Sequence, residues 1–281
     1  MIESVRPPLS GIASKASFGM AFAASGVPVR NILEYSESLR GFEAVEFPVE
    51  ILELKEASKL LAGAINGFQY LHIGSIIDRE VACNLPYASE SLYDEFAAYT
   101  EKIVSLLDSI GIHTVTFDPG MNSVLTDSRT LASTLRILKL IAPVLQRTGI
   151  VLLLPFSLPC RGKETPAMLT DFLRSSMIPN LKVRLDIHPH EIPRERMLPD
   201  RLAGTLLLEV RSVLFRYDAD SGNTLVPEHV KPWIERLHLL GFHGPFMAAP
   251  ALSGAGRFLH KADEWSALIH TLRTETEGGR K

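Results

Sequence analysis

Eight times along this chain, a short apolar or β-branched run gives way to a longer stretch whose apolar residues fall at helical spacing. The first strand lies within Phe18–Ala24. "FEAVEFPV" (Phe42–Val49) reads as the second, followed by Leu54, Ala57, Leu60, Leu61 and Ala64 at helical intervals. "QYLHIGSI" (Gln69–Ile76) is the third, and Leu92, Phe96, Tyr99, Ile103, Leu106 and Ile110 form one face of the next helix. "IHTVTFDPG" (Ile112–Gly120) is strand-like until Pro119 and Gly120 end it, and Leu131, Leu135, Leu138, Ala142 and Leu145 follow as a stripe. "IVLLLPF" precedes a helix through Met168, Leu169, Phe172 and Leu173, and "LKVRLDI" is the sixth strand. The next segment is ambiguous, because "TLLLEV" alone reads as a strand. The repeat of Leu202, Leu206 and Val210 favours a helix closed by the strand "RSVLFRYD". Val230, Trp233, Ile234, Leu237 and Leu240 mark another helix, "FHGPFMAA" the last strand, and Trp265, Ile269 and Leu272 the last helix. The tail "RTETEGGRK" is polar and is expected to fray.

Eight such units in about 250 residues fit an α/β fold of one kind, a single (β/α)8 TIM barrel. A doubly wound open sheet would want a Gly-rich turn after its first strand, and none follows Phe18–Ala24. No composition break or long linker divides the 281 residues, so residues 1–281 are read as one domain. Lys plus Arg is 29 against 32 for Asp plus Glu, a net charge of −3, which offers no nucleic-acid footprint. "MIESVRPPLS" lacks the basic start and apolar core of a signal peptide, and no apolar run reaches the roughly 18 residues of a membrane span. Cys83 and Cys160 sit in no CxxC pattern. The expectation is a cytoplasmic protein with a small-molecule partner, free of nucleic acid and membrane, with self-association left open.

A parallel barrel gathers its chemistry at the carboxyl ends of its strands. The polar residues falling there are Glu46, His72, Asp118, Asp186, His188, Arg216, Asp218 and His243. Residues two apart on a strand share a face, so Arg184, Asp186 and His188 point the same way. If that way is inward, Arg184 requires a carboxylate such as Asp186 or Glu46, because an unpaired buried charge is costly.

The strand-end motifs "GFEAVEFP", "FDPG", "LDIHPH" and "YDADSGN" resemble the xylose isomerase-like barrel superfamily of sugar isomerases, epimerases and family-2 apurinic endonucleases. Gly41–Phe47 looks like that family's second strand, ending in Val-Glu. Phe117–Gly120 resembles its fourth-strand His-Pro-Gly, with Asp118 in the histidine's place. Leu185–His188 is similar to its sixth-strand Leu-Asp-x-x-His, with Pro189 at the histidine's spacing between His188 and His190. The resemblance implies metal ligands that this chain replaces: Leu154 or Pro155 on strand five, Phe215 or Tyr217 on strand seven, and Ala248 or Ala249 on strand eight. A catalytic divalent ion needs at least about three protein ligands, so no divalent metal is expected and no other cofactor is indicated. "LDIHPHE" then reads as the remnant of a metal half-site. Other readings stay open: a site rebuilt from Asp186, His188, Asp118 and Asp218; hydrogen bonding to loop backbone; or metal-free acid–base work.

The resemblance implies a sugar isomerase- or epimerase-like protein acting on or binding a small sugar, sugar phosphate or polyol at the barrel mouth. The alternative is a non-catalytic carbohydrate-binding or regulatory barrel of the same descent. Glu46, Asp118, Asp186 and His188 are the candidate acid–base residues. His72, Arg216, Asp218 and Arg257 are candidate substrate-binding residues. Arg257 stands in "SGAGRF" (Ser253–Phe258), where a Gly-containing loop before the last helix suits either a phosphate or a plain turn. Asp118 in Asp-Pro-Gly and Asp218 in "DADSGN" also suit turns, the latter more readily than a calcium loop, whose glycine and glutamate positions it misses. An endonuclease activity would want several metals and a basic groove, and the charge balance provides no such groove.

Overall fold

A computed structural model describes residues 16–22, 27–39, 41–54, 67–159, 165–192, 206–253 and 255–278, together with Leu61 and Gly63. The expectations for Ala57, Leu60, Ala64, Cys160 and Leu202, and for the opening decapeptide, lie outside the described residues. In chain order the elements are β1 (Phe18–Ala21), α1 (Val29–Ser38), β2 (Ala44–Phe47), β3 (Tyr70–Ser75), α2 (Arg79–Asn84), α3 (Glu90–Ser109), β4 (Thr114–Thr116), α4 (Met121–Val124), α5 (Ser128–Thr148), β5 (Val151–Leu158), α6 (Thr165–Ser176), β6 (Leu181–Ile187), β7 (Val210–Asp218), α7 (Pro227–Leu239), β8 (Phe246–Ala251) and α8 (Phe258–Gly278). All strand pairs are parallel, and β1 pairs with both β2 and β8, which closes the eight strands into a (β/α)8 barrel.

Closure depends on small residues where strands converge. A side chain at Gly19 would place its Cβ 2.2 Å from the Ala44 carbonyl oxygen, so β1 and β2 approach only because that position is glycine. Ala21, Ala44 and Ala249 pack with Leu214 and Met247 in a separate cluster within the ring of strands. The opposite strand faces join the helices in the main core. There Trp265 of α8 lies edge-on to Phe18 and Phe215, and its indole N–H donates to the Gly19 carbonyl at 3.0 Å. That bond satisfies the one polar atom of a side chain that is otherwise ideal for burial. Asp127 caps α5 by accepting from the Thr130 N–H at 3.0 Å, and Gly149 ends the helix at φ 73°.

Three local expectations change. In α3 the buried face is Tyr93, Phe96, Thr100, Ile103, Val104 and Leu107, while Leu92 and Tyr99 are exposed. The apolar residues of α3 cover more than one stripe, and packing against the neighbouring elements chooses between them. Val210 opens β7 instead of closing a helix, after a single turn at Leu207–Glu209, because it pairs with Val183 of β6. The first part of the polar tail, Arg273–Gly278, stays helical, with Arg273 pairing with Glu43 at 2.9 Å and stacking over Phe18, and residues 279–281 lie outside the described residues. Among the described residues no helix is long and apolar enough to cross a membrane.

Candidate functional site

Strand pairing fixes which side chains point into the barrel. Asp186 is level with Ser157 of β5 and Leu214 of β7, and Arg184 with Pro155 and Ser212. Strand alternation then turns Pro155, Arg184, Asp186, Arg216 and Ala249 inward, and Leu154, Phe215, Tyr217 and Ala248 outward. Glu46 is level with His72, and both face the same interior.

Arg184 reaches across this interior. Its Nε donates to Asp186 Oδ1 at 2.7 Å and its Nη2 to Asp186 Oδ2 at 3.2 Å, the two-pronged geometry that makes guanidinium–carboxylate pairs strong. Its Nη1 donates to Glu46 Oε2 at 2.8 Å and to the Thr116 hydroxyl at 3.3 Å. Arg216 adds a second cation, its Nε donating to Asp186 Oδ2 at 2.6 Å. Glu46, Arg184 and Asp186 are all buried. Burial works against the Arg184 charge, but Asp186, Glu46 and Asp118 outweigh it and hold the guanidinium protonated well above its ordinary range. Burial likewise pushes the Asp186 carboxyl up, while Arg184 and then Arg216 pull it further down, so it stays ionised below the usual carboxylate range. His72 is driven down to about 4, first by burial and then by the Arg184 charge, and is neutral at physiological pH. Among the described residues, Glu46 Oε1 and His72 Nδ1 have no hydrogen-bond partner.

Above this buried layer lies a pocket of about 270 Å³, lined by His188, His190, Glu191, Arg216, Asp218 and Asn223 among others. Arg216 joins the two levels. Its Nε is tied down to Asp186, and its Nη atoms make no hydrogen bond among the described residues. His188 follows the end of β6, with Nδ1 3.6 Å from Glu191 Oε1. His190 meets His229 edge-on at 4.6 Å, and burial first, then that neighbour, keeps its pKa low.

Of the residues singled out from the sequence, Glu46, His72, Asp186 and Arg216 converge with Arg184, while His188, Arg216 and Asp218 line the pocket. Asp118 lies beside this set: its charge acts on Arg184, and its carboxylate accepts from the Gly120 N–H at 3.1 Å. Asp218 closes a turn, accepting from the N–H groups of Asp220 at 3.0 Å and Ser221 at 3.2 Å. Arg257 pairs with Asp220 at the rim. His243 lies before β8, at the opposite end of the strands, against His238. His190, Glu191 and Asn223 were not singled out as site residues. The first two stand in the same quoted run as His188, and Asn223 ends "DADSGN".

The divalent ion implied by the resemblance does not fit these residues. The inward side chains toward the ends of β5, β7 and β8 are Pro155 and Ser157, Arg216 and Asp218, and Ala249 and Ala251; Asp218 is held in its own turn, and both oxygens of Asp186 already accept from guanidinium groups. Of the pairs left open by the sequence, Phe215 and Tyr217 both lie on the outer face, so neither holds the strand-seven position. No group of three or more His, Cys, Asp or Glu among the described residues converges to hold a metal.

No protein-family model and no curated protein matches the chain. Solved structures do. D-psicose 3-epimerase, determined in the presence of D-fructose, aligns at TM-score 0.65 and 16% identity over 93% of this chain and 97% of that one. The 3-keto-D-glucoside 4-epimerase of E. coli aligns at TM-score 0.63 and 16% identity, over 92% and 100%. A xylose isomerase domain protein from Alicyclobacillus acidocaldarius aligns at TM-score 0.64 and 18% identity, over 93% and 99%. At such identities the likeness is one of fold: the chain has the closed eight-stranded barrel of the xylose isomerase-like sugar epimerases and isomerases.

Proposed function

We propose that the chain binds a small sugar or polyol in the pocket at the carboxyl-end mouth of the barrel. The observation that carries this reading is the position of Arg216, anchored to Asp186 through Nε and lining the pocket beside His188, Asp218 and Asn223. Sugar hydroxyls both donate and accept hydrogen bonds, and this lining supplies guanidinium and amide donors next to carboxylate, amide and imidazole acceptors. The sugar class is supported by fold neighbours that are, by name, a D-psicose 3-epimerase and a 3-keto-D-glucoside 4-epimerase.

Binding without turnover is favoured over isomerisation. A carboxylate that moves protons at neutral pH needs a pKa near the working pH and access to its substrate. Asp186 has the opposite properties: it is buried, held by two arginines and kept ionised. Glu46 lies fully buried against Arg184. In the catalytic version of this reading, His188 and Asp118 carry the acid–base work, with Glu46 and Asp186 beneath them. The partner in both versions is a small molecule and not nucleic acid or membrane, and the site draws on no metal.

Calorimetry against D-fructose, D-tagatose, D-psicose and a panel of aldoses tests binding, and proton exchange in deuterated water tests turnover. Saturable binding that Arg216→Ala weakens at least about tenfold, with no deuterium entering the sugar, is the expected result. If no sugar binds, the assignment of the mouth is wrong. Deuterium incorporation that depends on His188 would establish the catalytic version instead.

A further inference from the structure

The loop after β8 carries donors suited to an anion. Ser253 presents a backbone N–H there, and Arg257, one turn further on, presents a guanidinium fork of the kind that grips phosphate. In this chain both donors already serve one acceptor. Asp220, on the turn leaving β7, accepts from the Ser253 N–H through Oδ2 and from Arg257 through Oδ1. The turn is built to deliver it. Asp218 Oδ1 accepts from the Asp220 N–H at 3.0 Å and the Ser221 N–H at 3.2 Å, and the Ala219 N–H donates to the Ala251 carbonyl at 3.1 Å. These bonds fix the β7 turn against the end of β8, beside the mouth pocket that Asp218 and Ala251 line.

We infer that Asp220 is the chain's own occupant of the anion seat after β8, and that it makes the mouth discriminate against phosphorylated ligands. The consequence for sugars rests on the sugar-binding reading above; the occupancy of the seat does not. A phosphate group entering here must displace Asp220 from both donors. It must then lie beside the Asp218 and Asp220 carboxylates, whose like charges oppose it. The arginine that lines the pocket itself, Arg216, is already matched by Asp186. An unphosphorylated sugar meets neither obstacle.

The test compares wild type with Asp220→Ala, and with Asp220→Asn, which keeps the shape and removes the charge. Each is titrated with inorganic phosphate, D-fructose and D-fructose 6-phosphate, with circular dichroism confirming that each variant folds. Wild type is expected to bind inorganic phosphate at least about tenfold more weakly than Asp220→Ala, in keeping with the freeing of two charge-assisted donors. Adding Arg257→Gln to Asp220→Ala should remove that gain. The affinity ratio of D-fructose 6-phosphate to D-fructose should rise with the phosphate gain in both Asp220 variants. If folded Asp220→Ala gains no phosphate affinity, or if wild type prefers the phosphate ester to the parent sugar, the inference falls. If wild type binds neither sugar while Asp220→Ala gains phosphate, the seat and its occupant stand and the sugar-binding reading fails.

Discussion

Arg184 on β6 and Glu46 on β2 meet at 2.8 Å, 138 residues apart in the sequence. Their strands lie on opposite sides of an eight-stranded ring, so this ion pair spans the barrel and braces it from within. The same guanidinium forks onto Asp186, and one cation thus holds two buried carboxylates.

Replacing Arg184 with methionine keeps the bulk and removes the charge. It strands Asp186 on Arg216 alone and leaves Glu46 buried without its cation. Breaking a buried pair from one side costs about 3 kcal/mol or more. Denaturant melts should register a loss of that size, and Arg184→Lys, which keeps the charge but not the fork, should lose less. An unchanged midpoint for Arg184→Met would mean that the network adds nothing to stability.

His72 predicts a pH dependence on the acid side. Its folded pKa is about 4, below the ordinary 6.5, because burial and then Arg184 disfavour the imidazolium. The unfolded chain therefore takes up a proton as pH falls below 6.5, while the folded chain does not until near 4. Stability is fully present above the unfolded pKa and is lost through that window, by about 3 kcal/mol in all. His190 and His238, also held low chiefly by burial, act in the same direction. His72→Gln should flatten the curve of stability against pH without abolishing its slope. A variant curve parallel to wild type would remove His72 as a contributor.

Arg216 should separate binding from stability. Asp186 keeps the two-pronged contact from Arg184 when Arg216 is lost, so Arg216→Ala should cost less than Arg184→Met, about 1.5–3 kcal/mol at most, the worth of one charge-assisted hydrogen bond. Sugar affinity should fall at least about tenfold, since the pocket loses its cationic donor. A destabilisation as large as that of Arg184→Met, with affinity retained, would make Arg216 a structural residue.

Titration with manganese, zinc and magnesium should show no stoichiometric binding in the low-micromolar range. Pro155, Arg216 and Ala249 supply no ligand pair, and Asp186 is engaged by guanidinium nitrogens. Binding at one ion per chain would show that the arginines give way to a metal.

What the sequence determined by itself was the local periodicity. Two-residue alternation in "LKVRLDI" and helical spacing in the stretches between strands are written into neighbouring residues, so eight β/α units could be counted and Arg184 assigned to the same face as Asp186. The need for a carboxylate partner at Arg184 followed from the cost of an unpaired buried charge. The tertiary structure alone decided which residues meet across the ring and which face of an evenly apolar segment turns inward. "VLFRYD" reads as buried on both faces, and only its pairing with β6 and β8 turns Arg216 inward and sends Phe215 and Tyr217 outward. The contact from Glu46 to Arg184 depends on barrel closure, and the hold of Asp220 on Ser253 and Arg257 on the pairing of β7 with β8. Closure joins strands far apart in the chain, and no local pattern encodes that distance.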